Sequence, residues 1–109
     1  MVQERMAVGK FKATGAAINV NCGFIPRYVE IQNFTDTHYA KGTWFQGMAA
    51  ASGFIEKTGA TYIARTYIAS AGITEYTGAD SDGAGLGFTI GTNADLNTDG
   101  DVLYYVAIR

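Results

Sequence analysis

The closing residues Asp101 to Arg109 constrain this chain more than any other segment. In an extended strand, Val102, Tyr104, Val106 and Ile108 fall on one face, and Leu103, Tyr105 and Ala107 on the other. A strand that is apolar on both faces has two solutions. It is central and covered twice, or it covers the core with one face and a partner with the other.

The rest of the chain is read in the same way, because helix signals are nearly absent. The one candidate is the run Gly-Met-Ala-Ala-Ala-Ser at 47 to 52, too short to stand as more than a single turn. Strand signals recur instead, punctuated by Gly, Asn and Asp. Ala7 to Ala13 and Ala17 to Cys22 form two short strands around Thr14-Gly15-Ala16. In the second, Ile18, Val20 and Cys22 alternate with Ala17, Asn19 and Asn21, which predicts one buried face. Pro26 cannot donate to a ladder and opens a strand over Arg27 to Phe34. Short strands follow at Thr43 to Gly47, Ile73 to Thr77 and Gly87 to Gly91, with a longer one over Thr61 to Ser70, dense in β-branched and aromatic residues. The segment 78 to 87 holds four glycines and two aspartates in ten residues and is expected to be a mobile loop. About eight antiparallel strands at this spacing predict an all-β fold, a single-domain β-sandwich or jelly roll over 1 to 109 with an N-terminal arm over 1 to 8.

Composition narrows the function. The chain is 48% hydrophobic and 17% charged, well below the usual quarter, so much of its surface must be Gly, Ala, Thr, Asn and apolar atoms. Such a surface tolerates lasting contact with another protein. Net charge is −2, and Arg5, Lys10, Lys12, Arg27, Lys41, Lys57, Arg65 and Arg109 are scattered, so no basic track for nucleic acid is expected. The single Cys22 has no partner for an internal disulfide, which fits a reducing compartment of synthesis. No run is long and apolar enough to span a bilayer. The N-terminus has charges with no apolar stretch behind them, so no secretory signal is expected there.

The sharpest chemical motif is Asp95-Leu96-Asn97-Thr98-Asp99-Gly100-Asp101. Asp95, Asn97, Asp99 and Asp101 have the spacing of a Ca²⁺ loop with Gly at its sixth position. The twelfth position is Val106 where a bidentate Glu is needed, and no flanking helix is in sight. A polar hairpin turn using Asp99-Gly100 to reach positive φ is the preferred reading, with a weak exposed Ca²⁺ site as the functional one. The glycine-rich segment 78 to 87 lacks the Lys-Ser/Thr of a phosphate cradle and carries Asp80 and Asp82, which repel phosphate. His38, the single histidine, stands near Asp36, but Ser52, Ser70 and Ser81 are in no nucleophile-elbow pattern. Trp44 and Phe45 are candidates for sugar stacking, against a bland reading as core filling. Asn33-Phe34-Thr35 matches a glycosylation acceptor, empty of meaning without secretion. Nothing selects a glycosidase pair from the ten carboxylates. No catalytic residue and no cofactor is expected.

Four segments taken together, in their order and spacing, resemble small virion proteins of tailed bacteriophages and prophages associated with head decoration, or capsid cement. They are Gly-Phe-Ile-Pro-Arg-Tyr-Val-Glu-Ile-Gln-Asn (23 to 33), Trp-Phe-Gln-Gly-Met (44 to 48), Gly-Phe-Thr-Ile-Gly (87 to 91) and Leu-Tyr-Tyr-Val-Ala-Ile-Arg (103 to 109). The resemblance implies a β-sandwich or jelly roll, a homo-oligomer (a trimer favoured), a place on the outer capsid surface after synthesis in the host cytoplasm, and the major capsid protein as partner. The alternative is a tail-tip or fibre-associated module that binds a host-surface glycan or protein. An exposed Trp44 beside a groove would favour that alternative, and a buried Trp44 the first reading.

Overall fold

The computed structural model describes residues 6–34, 39–58, 63–78 and 86–109. Residues 79 to 85 of the expected mobile loop, most of the N-terminal arm, Asp36, His38 and the start of the Thr61 strand lie outside the described residues. The fold is all-β, with eight strands: β1 (Met6–Lys12), β2 (Ile18–Asn21), β3 (Tyr28–Asn33), β4 (Tyr39–Phe45), β5 (Ser52–Thr58), β6 (Ile63–Tyr76), β7 (Gly87–Ile90) and β8 (Val102–Ile108). All pairings are antiparallel and belong to one sheet, in the order β1-β8-β3-β4-β5-β6-β7-β2.

That order requires the sheet to curl. β1 and β2 are consecutive in the chain, yet they occupy opposite ends of the sheet. If flat, eight strands at about 4.8 Å spacing would set these edges about 34 Å apart. The connector from Lys12 to Ile18 spans six steps and reaches at most about 20 Å. The sheet therefore bends round until its far parts face each other. Phe88 on β7 meets Tyr105 on β8 edge-on, with ring centroids 5.5 Å apart, although the two strands stand five places apart in the order.

One site of bending is visible in β6. Its first half pairs with β5 from Thr58↔Ile63 to Gly53↔Ile68, and the next pair is Ser52↔Ile73. Residues 69 to 72 are left over, and Ala71 sits at φ 61°, a sparsely populated conformation for a residue with a Cβ. Such extra residues bend a strand and raise its twist. The protruding backbone is tied down by Gly72 N–H to Ala51 O (2.9 Å), Gly91 N–H to Gly72 O (2.8 Å) and Asn93 N–H to Ala71 O (3.0 Å).

The concave side is the core: Val29, Ile31, Trp44, Ile55, Ile73, Phe88, Ile90, Leu96, Leu103 and Ala107 are all buried there. Each large side chain so placed contributes roughly 1.5–3 kcal/mol. Gly42 on β4 is what lets Leu96 enter, since a Cβ at Gly42 would stand 2.6 Å from the Leu96 Cδ2. The strand expectations hold for β1, β2, β3, β7 and β8 to within one or two residues at each end. Elsewhere the chain departs from them. Residues 47 to 52 form no helix; Gly47 (φ 101°) and Ala51 (φ 61°) turn the chain into β5, a strand the sequence reading missed. The segments 61 to 70 and 73 to 77 are one bent strand, and β4 begins earlier, at Tyr39.

Candidate interaction surface

Because side chains alternate along a strand and partners across the ladder share a face, the register defines what the convex side presents. One row across it reads Val8, Val106, Glu30, Thr43, Phe54, Tyr67. The next reads Lys10, Tyr104, Gln32, Lys41, Glu56, Arg65. Above the first lie Met6, Ile108, Tyr28 and Phe45. Phe34, just past β3, packs at 5.4 Å from Tyr39 and 6.0 Å from Tyr104.

Nine large hydrophobic side chains are exposed among the described residues, and eight of them, all but Leu86, belong to this convex face. Met6 (65% exposed) and Val8 (67%) are the most open. Apolar residues scattered singly over a surface need no account, but their gathering on one face of one sheet does. Six strands at about 4.8 Å and seven residues at about 3.4 Å make a face of about 24 by 23 Å, a projected area near 550 Å². Side-chain relief raises the accessible area above that, into the range of the about 800 Å² that each partner contributes to a standard interface.

The polar middle of the face is satisfied from within. The Glu30 carboxylate accepts from Tyr28 Oη (3.0 Å), Gln32 Nε2 (2.9 Å) and Lys41 Nζ (3.0 Å). Burial alone would raise the Glu30 carboxyl, but the hydrogen bonds from Lys41, Gln32 and Tyr28 outweigh it and hold it below its ordinary value. The same cluster raises Lys41, chiefly through its bond to Glu30, and raises the Tyr28 phenol, chiefly through burial. Arg65 Nε meets Glu56 at 3.3 Å further along. These charges are already matched inside the chain and ask for no counter-charge from a partner, while Lys10, on β1 at the edge of the face, has no acidic partner among the described residues.

The candidate Ca²⁺ loop has another use. It does not close a hairpin, because β7 and β8 are not neighbours; it is a crossover that buries its Leu96 in the core. Buried Asn97 accepts from the N–H groups of Thr14 (3.1 Å) and Gly15 (3.0 Å) and donates to Ala16 O (2.6 Å) and Gly91 O (2.9 Å). It thereby holds the β1–β2 connector where the two sheet edges approach. Asp101 accepts from buried Asn33 Nδ2 at 2.9 Å, and Asp95 pairs with Lys57 at 3.2 Å. Gly100 adopts φ 93°, as the Asp-Gly reading requires. Among the described residues no group of three or more His, Cys, Asp or Glu converges on a metal position.

The remaining candidates also have places. Trp44 and Phe45 point to opposite sides: Trp44 is 2% exposed in the core, and Phe45 is on the convex face. The Trp44 Nε1 has no hydrogen-bond partner among the described residues. Asn33 is buried and bonded inward, not offered as an acceptor for sugar. Cys22 is half-buried beside Phe24 O (3.3 Å), and burial pushes its thiol up, away from the reactive thiolate. No helix among the described residues is long and apolar enough to cross a membrane.

Comparison with models of protein families, with curated proteins and with solved structures returned no match. The reading of the surface rests on its geometry.

Proposed function

We propose that this chain is a bacteriophage structural protein that decorates the capsid and stabilises it by bridging neighbouring major capsid protein subunits. The observation that carries the proposal is the convex face, where eight of the nine exposed large hydrophobic side chains gather over a polar centre neutralised from within. A face of this kind suits a flat, lasting protein contact. The crossover loop and its Asn97 brace hold the curled sheet beneath it in one shape, which keeps the ordering cost of docking low.

Cement action then follows from mass action. A protein that binds the assembled shell and not the free subunits stabilises the shell by about 2.7 kcal/mol per site at a hundredfold excess over its dissociation constant. Assembly as a homo-oligomer, with the trimer favoured, multiplies this, because several modest contacts on one lattice must break together before a copy leaves. The virion surface is the corresponding location, after synthesis in the host cytoplasm. The glycan-binding tail-tip alternative called on Trp44 as a stacking platform, and a Trp44 at 2% exposure weighs against it.

Binding to assembled shells lacking the protein tests the proposal, read by co-sedimentation. Saturable binding at a fixed ratio to the capsid subunit is expected. It should weaken by at least about tenfold in the Val8→Glu/Phe54→Glu variant, whose substitutions lie on the exposed face. Equal binding by the variant, or no binding of the native chain, overturns it.

A further inference from the structure

Away from the convex face, an open cleft of about 480 Å³ lies at one end of the sheet, lined by Gly23, Phe24, Ile25, Arg27, Gln46, Leu86 and Arg109. Three of its features converge. Leu86 is the one exposed large hydrophobic side chain among the described residues that the convex face does not account for. Phe24 and Ile25 extend the apolar lining inward, Phe24 buried and Ile25 half-buried. Arg27 immediately precedes β3 and Arg109 immediately follows β8, and the last pair between these strands is Tyr28 with Ile108.

The two arginines are thus brought to the same end of adjacent strands. Like charges this close are mutually unfavourable across a sheet. Neither forms an ion pair with an acid among the described residues, whereas Lys41, Lys57 and Arg65 each have one. Lys10 and Lys12 on β1 are likewise without an acidic partner among the described residues, but they lie on the open convex face, whereas Arg27 and Arg109 border a cleft. The backbone beneath is firmly placed: Arg27 N–H donates to Ile108 O (2.7 Å), Gln46 N–H to Arg27 O (2.8 Å), and the N–H groups of Cys22 and Gly23 both donate to Leu86 O (3.0 Å).

We propose that this cleft binds an acidic peptide segment of a partner protein, in which a carboxylate engages Arg27 and Arg109 while a neighbouring apolar side chain packs on Leu86 and Phe24. Guanidinium groups suit carboxylates because they offer paired donors in a planar fork. The apolar lining beside them distinguishes such a segment from a simple anion. The inference is independent of the convex face, so either can fail alone.

The test is an amide chemical-shift titration of the full chain with the acetylated, amidated peptide Leu-Asp-Leu-Asp-Leu. Saturable shifts at Gly23, Phe24, Gln46 and Leu86 are expected, with a dissociation constant below about 1 mM. The Arg27→Gln/Arg109→Gln variant should bind at least about tenfold more weakly with an unchanged melting temperature, and Arg65→Gln should bind as the native chain does. If the double variant melts early, the native chain is titrated in high salt, which should weaken binding to a comparable degree. Absence of saturable shifts, equal binding by a folded double variant, or salt-independent binding overturns the proposal. Equal affinity for inorganic phosphate, or for the peptide with Asn replacing Asp, also overturns it, because the cleft would then not read an acidic peptide.

Discussion

Replacing Asn97 by Ala removes one side chain and releases four backbone groups in two separate segments, the β1–β2 connector and the end of β7. Two N–H donors, at Thr14 and Gly15, and two carbonyls, at Ala16 and Gly91, lose their partner. Each hydrogen bond is worth about 0.5–1.5 kcal/mol net, which would sum to about 2–6 kcal/mol. Thr14, Gly15 and Ala16 are exposed and recover water, whereas Gly91 is half-buried, so the lower half of that range applies, about 2–4 kcal/mol. With 109 residues, an unfolding entropy near 0.23 kcal/mol/K converts 3 kcal/mol into a fall of about 13 °C in Tm. Asp99, in the same loop, is exposed, and Asp99→Ala should change stability by less than about 0.5 kcal/mol. Paired urea and calorimetric melts measure both. An Asn97→Ala variant within about 1 kcal/mol of the native chain would refute the account of the loop as a brace. A Tm that rises on adding Ca²⁺ to the native chain, and falls back with a chelator, would refute the assignment of these side chains to structure instead of a metal.

Other consequences concern the core and the convex face. Gly42→Ala places a methyl against Leu96 and should cost about 1–3 kcal/mol in urea denaturation, with part recovered when Leu96 is shortened to Val in the same chain. Trp44→Phe loses volume but no hydrogen bond to the described residues, among which the indole N–H has no partner; it should cost less than the about 3–5 kcal/mol usual for truncating such a residue to Ala. The carboxyl of Glu30 is held below its ordinary value of 4.5, so it contributes stability above that pH, and this is lost as pH falls through the lower folded value. The stability difference between native and Glu30→Gln proteins, read by urea denaturation, should therefore be constant above about pH 4.5 and shrink as pH falls below it.

Much of this architecture could be read from period-two alternation. Leu103 and Ala107 are buried while Tyr104 and Ile108 are exposed, so β8, between β1 and β3, covers the core with one face and leaves the other open. The segments read wrongly share a cause. β5, Ser-Gly-Phe-Ile-Glu-Lys-Thr, has a small polar start and a charged pair, so propensity hides a strand that the ladders to β4 and β6 enforce. The break expected between Ser70 and Ile73 is real as a bulge, but tertiary hydrogen bonds carry the strand across it. The run at 47 to 52, a helix candidate by its alanine content but too short for more than one turn, is a turn. Ala51 at positive φ shows the turn overriding that preference.

The interaction surface was half legible. Low charge and the two-faced closing strand pointed to a contact surface, but its extent depends on register. Val8, Phe54 and Tyr67 share a row only because β1, β5 and β6 are brought into line through β8, β3 and β4. In the same way, the spacing of Asp95, Asn97, Asp99 and Asp101 could not reveal that Asn97 bonds to a connector some eighty residues earlier. The arginine cleft had no local signal at all, since Arg27 and Arg109 meet only through the pairing of β3 with β8.

The most direct test of the central claim is the copy number of this protein in purified virions, by quantitative mass spectrometry against the major capsid protein. Capsid decoration predicts a number comparable to that of the capsid subunit. A handful of copies per particle, or none, would contradict it.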